Sequence, residues 1–224
     1  MMVLGEEIIW KFGRRGLERE DGKVKILPRG KFIRKEKECM EQENWYILRT
    51  FNEQEKEAAE LLIRAVPKSM YSLCRIPQKL RAFRTGGEFR LVKDIMFPGY
   101  LFVKTGCPEK LQKELKKSRE FPQFFPFGKN AMGEDELIEV GGQDLAFLQK
   151  VCGTKLQNAM GVSDVMLGED KKIVAAHGAL EHYVHQIVRQ NLHRRFAVAE
   201  VPLFNRKQTV LFGIKLEQDR YFVA

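Results

Sequence analysis

Two apolar runs in the middle of the chain constrain its fold more than any other feature. Phe97-Pro98-Gly99-Tyr100-Leu101-Phe102-Val103 reads as a Pro-Gly turn feeding a strand. Upstream, Asn44-Trp45-Tyr46-Ile47-Leu48-Arg49-Thr50-Phe51 reads as a second strand, and a helical pattern follows from Glu53 to Val66. Asn52 is the expected cap of that helix, with Glu55 at the capping-box position and Pro67 marking the end. Ala58, Ala59, Leu61, Leu62 and Ala65 give it one apolar face. Alternation along a strand sends Trp45 and Tyr46 to opposite sides, and Tyr100 and Leu101 likewise. Trp45, Tyr46, Phe51, Phe97, Tyr100 and Phe102 are too many rings for one side of a small sheet. Either helices bury them on two faces, or one face is a binding surface.

The remaining segments arrange themselves around these runs. Ser72 to Arg84 reads as a strand broken by Pro77, and Thr85-Gly86-Gly87-Glu88 as a turn, so Arg75–Arg84 and Phe89–Asp94 form an expected hairpin. Pro108 introduces a helix over Glu109–Ser118, and Asp144 caps a last one over Asp144–Val151. Gly153 to Ser163 lacks periodicity and reads as a linker, followed by short strand-like runs to the end. The expected division is an N-terminal extension over 1–43, a first domain over 44–152, the linker over 153–163 and a second domain over 164–224. Residues 1–43 have little to bury and are expected to be disordered or not natively translated. Lys and Glu codons are purine-rich, so Arg34-Lys35-Glu36-Lys37-Glu38-Cys39 reads as a ribosome-binding site translated by mistake, with translation starting at Met40.

Composition narrows the function classes. No apolar stretch approaches bilayer length and there is no signal-peptide core, which places the chain in the cytoplasm with no membrane partner. The four cysteines are scattered with no C-x-x-C pair and read as reduced thiols rather than a zinc knuckle. The net charge of +9 is concentrated between Asn44 and Gly128, which suits a polyanion and equally a solubilising surface.

Taken in order, Trp45-Tyr46-Ile47-Leu48-Arg49-Thr50, the helix and Phe97-Pro98-Gly99-Tyr100-Leu101-Phe102-Val103 resemble the N-terminal (NGN) domain of the NusG family of transcription elongation factors. After Asp164 the chain is similar to the family's KOW domain: Gly178, Leu180, Ile187, Val188, Asn191, Arg195, Ala197, Val201, Leu203, Phe204 and Arg206 fall in step with its pattern. His182, His185 and Asn205 stand where that pattern has glycines. The resemblance implies an α+β fold class: an NGN α/β sandwich with a small antiparallel sheet, then a small C-terminal KOW β-barrel. Against this, Leu180, Tyr183, Val184, Ile187 and Val188 have helical spacing. Some relatives, those resembling RfaH, have a second domain that is helical when docked on the first, which makes fold switching an alternative here.

The lost glycines, the histidine cluster and Pro126 make the chain look like a specialised paralog, most like the LoaP branch of processive antiterminators. The resemblance implies a monomer that binds the clamp helices of RNA polymerase in an open apolar hollow on one sheet face, mapped to Tyr46, Phe51, Phe97, Pro98, Gly99 and Tyr100. It also implies an RNA hairpin in an operon leader as partner. Arg-rich turns with aromatic neighbours suit phosphates and unstacked bases. The candidate nucleic-acid residues are Lys79, Arg81 and Arg84 in the hairpin, and Arg189, His193, Arg194, Arg195, Arg206 and Lys207 later. The rival reading is a ribosome-type KOW RNA-binding protein that does not bind polymerase. No phosphate-cradling, zincin or nucleophile-elbow motif occurs, so no enzyme and no cofactor is expected. His182 and His185 match no zinc spacing pattern, so no metal is expected either.

Overall fold

The computed structural model describes residues 17–20, 23–26, 42–129, 135–137, 139–219 and 222–223. The chain divides into two compact units, 1–43 and 44–224. The described part of the first is an antiparallel hairpin of β1 (Leu17–Glu20) and β2 (Lys23–Ile26). The expectation about Met40 lies outside the described residues.

In the second unit, β3 (Asn44–Arg49) leads into α1 (Glu55–Ala65). Then follow β4 (Leu73–Arg75), β5 (Gln78–Thr85), β6 (Glu88–Ile95) and β7 (Tyr100–Thr105). Next come α2 (Pro108–Leu115), β8 (Gln123–Phe124), β9 (Pro126–Lys129), β10 (Asp135–Leu137), β11 (Glu139–Val140) and α3 (Gly142–Cys152). The C-terminal part holds β12 (Ala159–Met160), β13 (Ser163–Leu167), β14 (Ile173–His177), a short 3-10 helix (Glu181–Gln186), β15 (Ile187–Asn191), β16 (Phe196–Leu203), β17 (Arg206–Leu216) and β18 (Phe222–Val223). The fold is mixed α and β.

The two diagnostic runs pair directly. β3 and β7 are antiparallel neighbours, with Ile47 opposite Phe102 and Leu48 opposite Leu101. β11 and β4 flank them. Alternation splits the side chains as expected. Tyr46, Leu48, Leu101 and Val103 face α1 and α2, where Ala58, Leu62, Leu111 and Leu115 complete one buried cluster. Trp45, Ile47 and Phe102 belong to another cluster, which α3 shares through Phe147 and Leu148. Each fully buried leucine contributes about 1.5–3 kcal/mol.

That second cluster runs without a break into the C-terminal part, where Leu203, Phe204, Val210 and Phe212 join it. There β14, β13, β17, β16 and β15 form a five-stranded sheet in that order. The stretch 153–163, expected as a linker, carries buried Leu156 and Met160 and pairs β12 in parallel with β5. β17 lies against β5 so closely that a Cβ on Gly213 would sit 2.5 Å from the Leu80 carbonyl oxygen. The helical spacing after Leu180 resolves into one 3-10 turn followed by strand β15.

Several local expectations are corrected. The N-cap of α1 is Gln54 with no side-chain cap, so Asn52 does not cap it. Glu55 reaches across to the Gly99 N–H instead of closing a capping box. The N-cap of α3 is Gly141, and Asp144 lies inside the helix. Cys74 and Cys152 are free thiols, as expected, and burial pushes their pKa values up to about 11.

One buried ion pair closes the C-terminal part. Arg195 donates through Nε and Nη2 to both oxygens of Asp219, at 2.6 and 2.5 Å. Asp219 also accepts the Leu216 N–H. Burial raises the Asp219 pKa, but the Arg195 and Leu216 hydrogen bonds outweigh it and the net shift is downward. A carboxylate depressed in the folded state stabilises above its ordinary pKa of 3.8, and that contribution disappears as pH falls through the lower folded value. Removing one partner strands the other charge, so Asp219→Ala is expected to cost about 3–5 kcal/mol in denaturant titrations at pH 7. The difference between variant and parent should shrink on acidification below the ordinary carboxylate range.

Candidate protein-docking face

The Pro98–Gly99 turn before β7 is held from behind. Thr50 N–H donates to the Gly99 carbonyl at 2.9 Å, and Gly99 N–H donates to Glu55 Oε1 at 2.6 Å. Gly99 has φ +82, and a Cβ there would meet Asn52 Oδ1 at 2.8 Å, so only glycine fits. The turn aims Phe97 onto the sheet face that carries Phe102, with ring centroids 6.0 Å apart.

That face is not an open hollow, as the resemblance implied. Phe204, from the turn between β16 and β17, fills it, 5.6 Å from Phe97 and 5.9 Å from Phe102. The Phe204 N–H donates to Asp144 Oδ2 at 2.9 Å. Burial raises the Asp144 pKa, opposed by that hydrogen bond. Arg206 donates to the Tyr100 hydroxyl at 2.5 Å and lies over the Phe125 ring, 5.0 Å from its centre. Tyr100 meets Phe125 edge-on at 5.7 Å. Nearby, Tyr183 of the 3-10 helix packs edge-on against Phe147 of α3 at 5.7 Å.

The six residues expected to share one surface occupy three places. Phe97 is buried beneath Phe204, with Tyr100 at the edge of the same face. Tyr46 points the other way, into the helix-side cluster, edge-on to Phe124 at 5.9 Å. Phe51, Pro98 and Gly99 line an open cleft of 1190 Å³, whose far wall includes Lys116, Arg119 and Phe124. Phe51 is 75% exposed at its rim. Tyr100 lines both places. Sequence reading left out Phe102, Phe125, Asp144 and Phe204 as parts of the covered face. Phe102 was within reach, because it lies two residues from Tyr100 on one strand. Nothing local marks the other three.

The nucleic-acid candidates also divide. Lys79 is buried, donates to the Ile95 carbonyl at 2.7 Å, and has its pKa lowered by burial. Arg195 is held by Asp219 and lies over the Phe89 ring at 4.7 Å. Both cations have partners within the fold that sequence spacing does not reveal. Arg81 stands 3.6 Å from Asp94 and Lys207 is 3.1 Å from Glu200. Arg84 and Arg189 are exposed over Phe89 and Phe196, and His193 and Arg194 are exposed in the β15–β16 turn. His182 Nε2 lies 2.7 Å from Lys150 Nζ. Among the described residues no cluster of His, Cys, Asp or Glu could hold a metal, and no helix is long and apolar enough to cross a membrane.

The sheet is covered by α1 and α2 on one side and by α3 and Phe204 on the other, with the Pro98–Gly99 turn at its edge. Residues 43–144 match the family model described as "Transcription termination factor nusG". Among solved structures, the chain is similar to one titled "Domain interaction in Thermotoga maritima NusG", at 20% identity and a TM-score of 0.47, covering 77% of this chain and 94% of that one. No curated protein matches.

Glu55 is 1% exposed and its Oε2 has no hydrogen-bond partner, so its role is the bond to Gly99. Glu55→Gln keeps an acceptor for that N–H and is expected to melt near the parent. Glu55→Ala leaves the N–H unpaired and should cost about 1–3 kcal/mol in denaturant titrations.

Proposed function

We propose that this chain is a NusG-type transcription elongation factor that docks on RNA polymerase through the face carrying Phe97, Tyr100 and Phe102. The family match over 43–144 supports the class. The observation that carries the site is the aromatic face itself, continuous with the turn held by Glu55. An apolar patch bordered by polar groups is the usual form of a protein-binding surface. In this reading the polymerase element is its clamp helices, and the C-terminal part, a KOW-type domain, moves off the face before docking. No bond is made or broken: binding energy shifts the polymerase between paused and moving states.

The same reading extends to a specialised, LoaP-like antiterminator, monomeric and cytoplasmic, that recognises an RNA hairpin in the leader of its operon. The exposed Arg189, His193 and Arg194 support an RNA contact, with the Arg189 guanidinium lying over the Phe196 ring. A phosphate-based contact should weaken steeply with salt.

Binding of the full chain to core RNA polymerase tests the docking reading. Tyr100→Phe removes only the hydroxyl that holds Arg206 of the cover and should tighten binding, whereas Tyr100→Ala, compared with Tyr100→Phe, removes the ring and is expected to weaken binding about tenfold, or about 1.4 kcal/mol. Gly213→Ala pushes β17 off β5 without touching the face, and is expected to tighten binding by a similar factor. Phe97→Ala is a poor probe, since a buried Phe truncation costs about 3–5 kcal/mol of stability. Equal binding by parent, Tyr100→Phe, Tyr100→Ala and Gly213→Ala would refute the docking face.

A further inference from the structure

The segment that covers the face shows what the face is built to hold. Three features converge on the turn after β16. The Phe97 and Phe102 rings flank the ring of Phe204. The Asp144 carboxylate, on the first turns of α3, takes the N–H of the same residue. Two positions on, the guanidinium of Arg206 lies over Phe125 and donates to the Tyr100 hydroxyl. The first contact selects a large apolar side chain, by burial and ring packing. The last selects an arginine, whose planar cation suits an aromatic face and a hydroxyl acceptor together, as a lysine's point charge does not. Asp144 adds a carboxylate at the backbone of the apolar residue, which disfavours an acidic segment.

We propose that the docking face recognises a protein segment presenting a large apolar side chain with an arginine beside it, and that the Phe204–Arg206 turn is an internal copy of that ligand. The proposal rests on the docking reading above and specifies the chemistry of the partner. Phe125 and Tyr100 are its specificity-determining residues: they read the arginine, whereas Phe97 and Phe102 read the apolar group. Segments that are apolar without a cation, and acidic segments, are discriminated against. The same chemistry makes the cover and the partner mutually exclusive, because both need the one guanidinium position.

The test uses a hairpin peptide spanning Glu200–Thr209, closed by a disulfide between added terminal cysteines, since Glu200 and Thr209 are cross-strand neighbours. The host is the full chain carrying Phe204→Ala and Arg206→Ala, which removes the internal occupant; a Gly213→Ala full chain serves as a second host. The parent peptide is expected to bind both hosts. Peptides with Arg206→Ala or Phe204→Ala are each expected to bind at least about tenfold more weakly. Phe125→Leu in the host should shrink the difference between the parent and Arg206→Ala peptides, leaving the part due to the Tyr100 hydroxyl, while keeping that for Phe204→Ala, a coupling that direct contact produces. The proposal is overturned if the Arg206→Ala peptide binds like the parent, if Phe125→Leu leaves that difference intact, or if the parent peptide binds neither host at about 1 mM. These outcomes do not depend on polymerase: an opened chain that ignores polymerase but obeys the peptide rule removes only the docking reading, and the reverse result removes only the recognition rule.

Discussion

The pairing of β3 with β7 makes a sheet that is apolar on both sides, and the rest of the second unit follows from the need to cover both. The two covers differ in origin. On one side α1 and α2 are sequence neighbours of the strands they protect, each joined by a short connection. Local closure of this kind loses little chain entropy. On the other side α3 covers only part, and Phe204 completes the job from a position far along the chain. A cover brought from so far depends on contacts rather than connectivity.

Phe204 is also where local and tertiary preferences disagree. It has φ 57 and Asn205 has φ 55, a left-handed pair joining Leu203 to Arg206 across a two-residue turn. Asn and Gly accept such backbone readily, whereas a bulky residue does so at a cost of about 1–3 kcal/mol. The ring packing against Phe97 and Phe102 and the Asp144 bond to the Phe204 N–H outweigh that cost while the turn is seated. Once it leaves the face both compensations vanish, and the backbone is free to relax. The strain therefore subtracts from the stability of the covered state, and a partner has less to displace than the contact area alone suggests.

The legible and illegible parts of the chain separate along the same line. Strand alternation correctly sent Trp45 and Tyr46 to opposite clusters, because it is a property of the backbone. The hairpin of β5 and β6 was legible because Gly86 and Gly87 have no neighbours to contend with. Capping rules failed at Glu55 and Asp144 for one reason: both carboxylates bond a distant backbone N–H, of Gly99 and Phe204, that no window of sequence contains. The aperiodic stretch 153–163 looked like a tether but carries Leu156 and Met160 into the core, where two well-spaced apolar residues suffice. Lys79 and Arg195 looked like phosphate ligands by type, and their partners, the Ile95 carbonyl and Asp219, were just as remote.

Arg206 illustrates why counting cations by region is a poor guide to what they bind. By type it belongs with the residues suited to nucleic acid; by position it is committed to Tyr100 and Phe125. The two roles compete only where a phosphate draws the guanidinium off Phe125 and Tyr100. A ligand that captures Arg206 in solution removes one of the interactions holding the cover, and whatever displaces the cover releases Arg206. Linkage makes the two effects equal in free energy. The face on the sheet and the turn of the C-terminal part are thus the two halves of one equilibrium, and the aromatic rings that make the first sticky are what keep the second quiet.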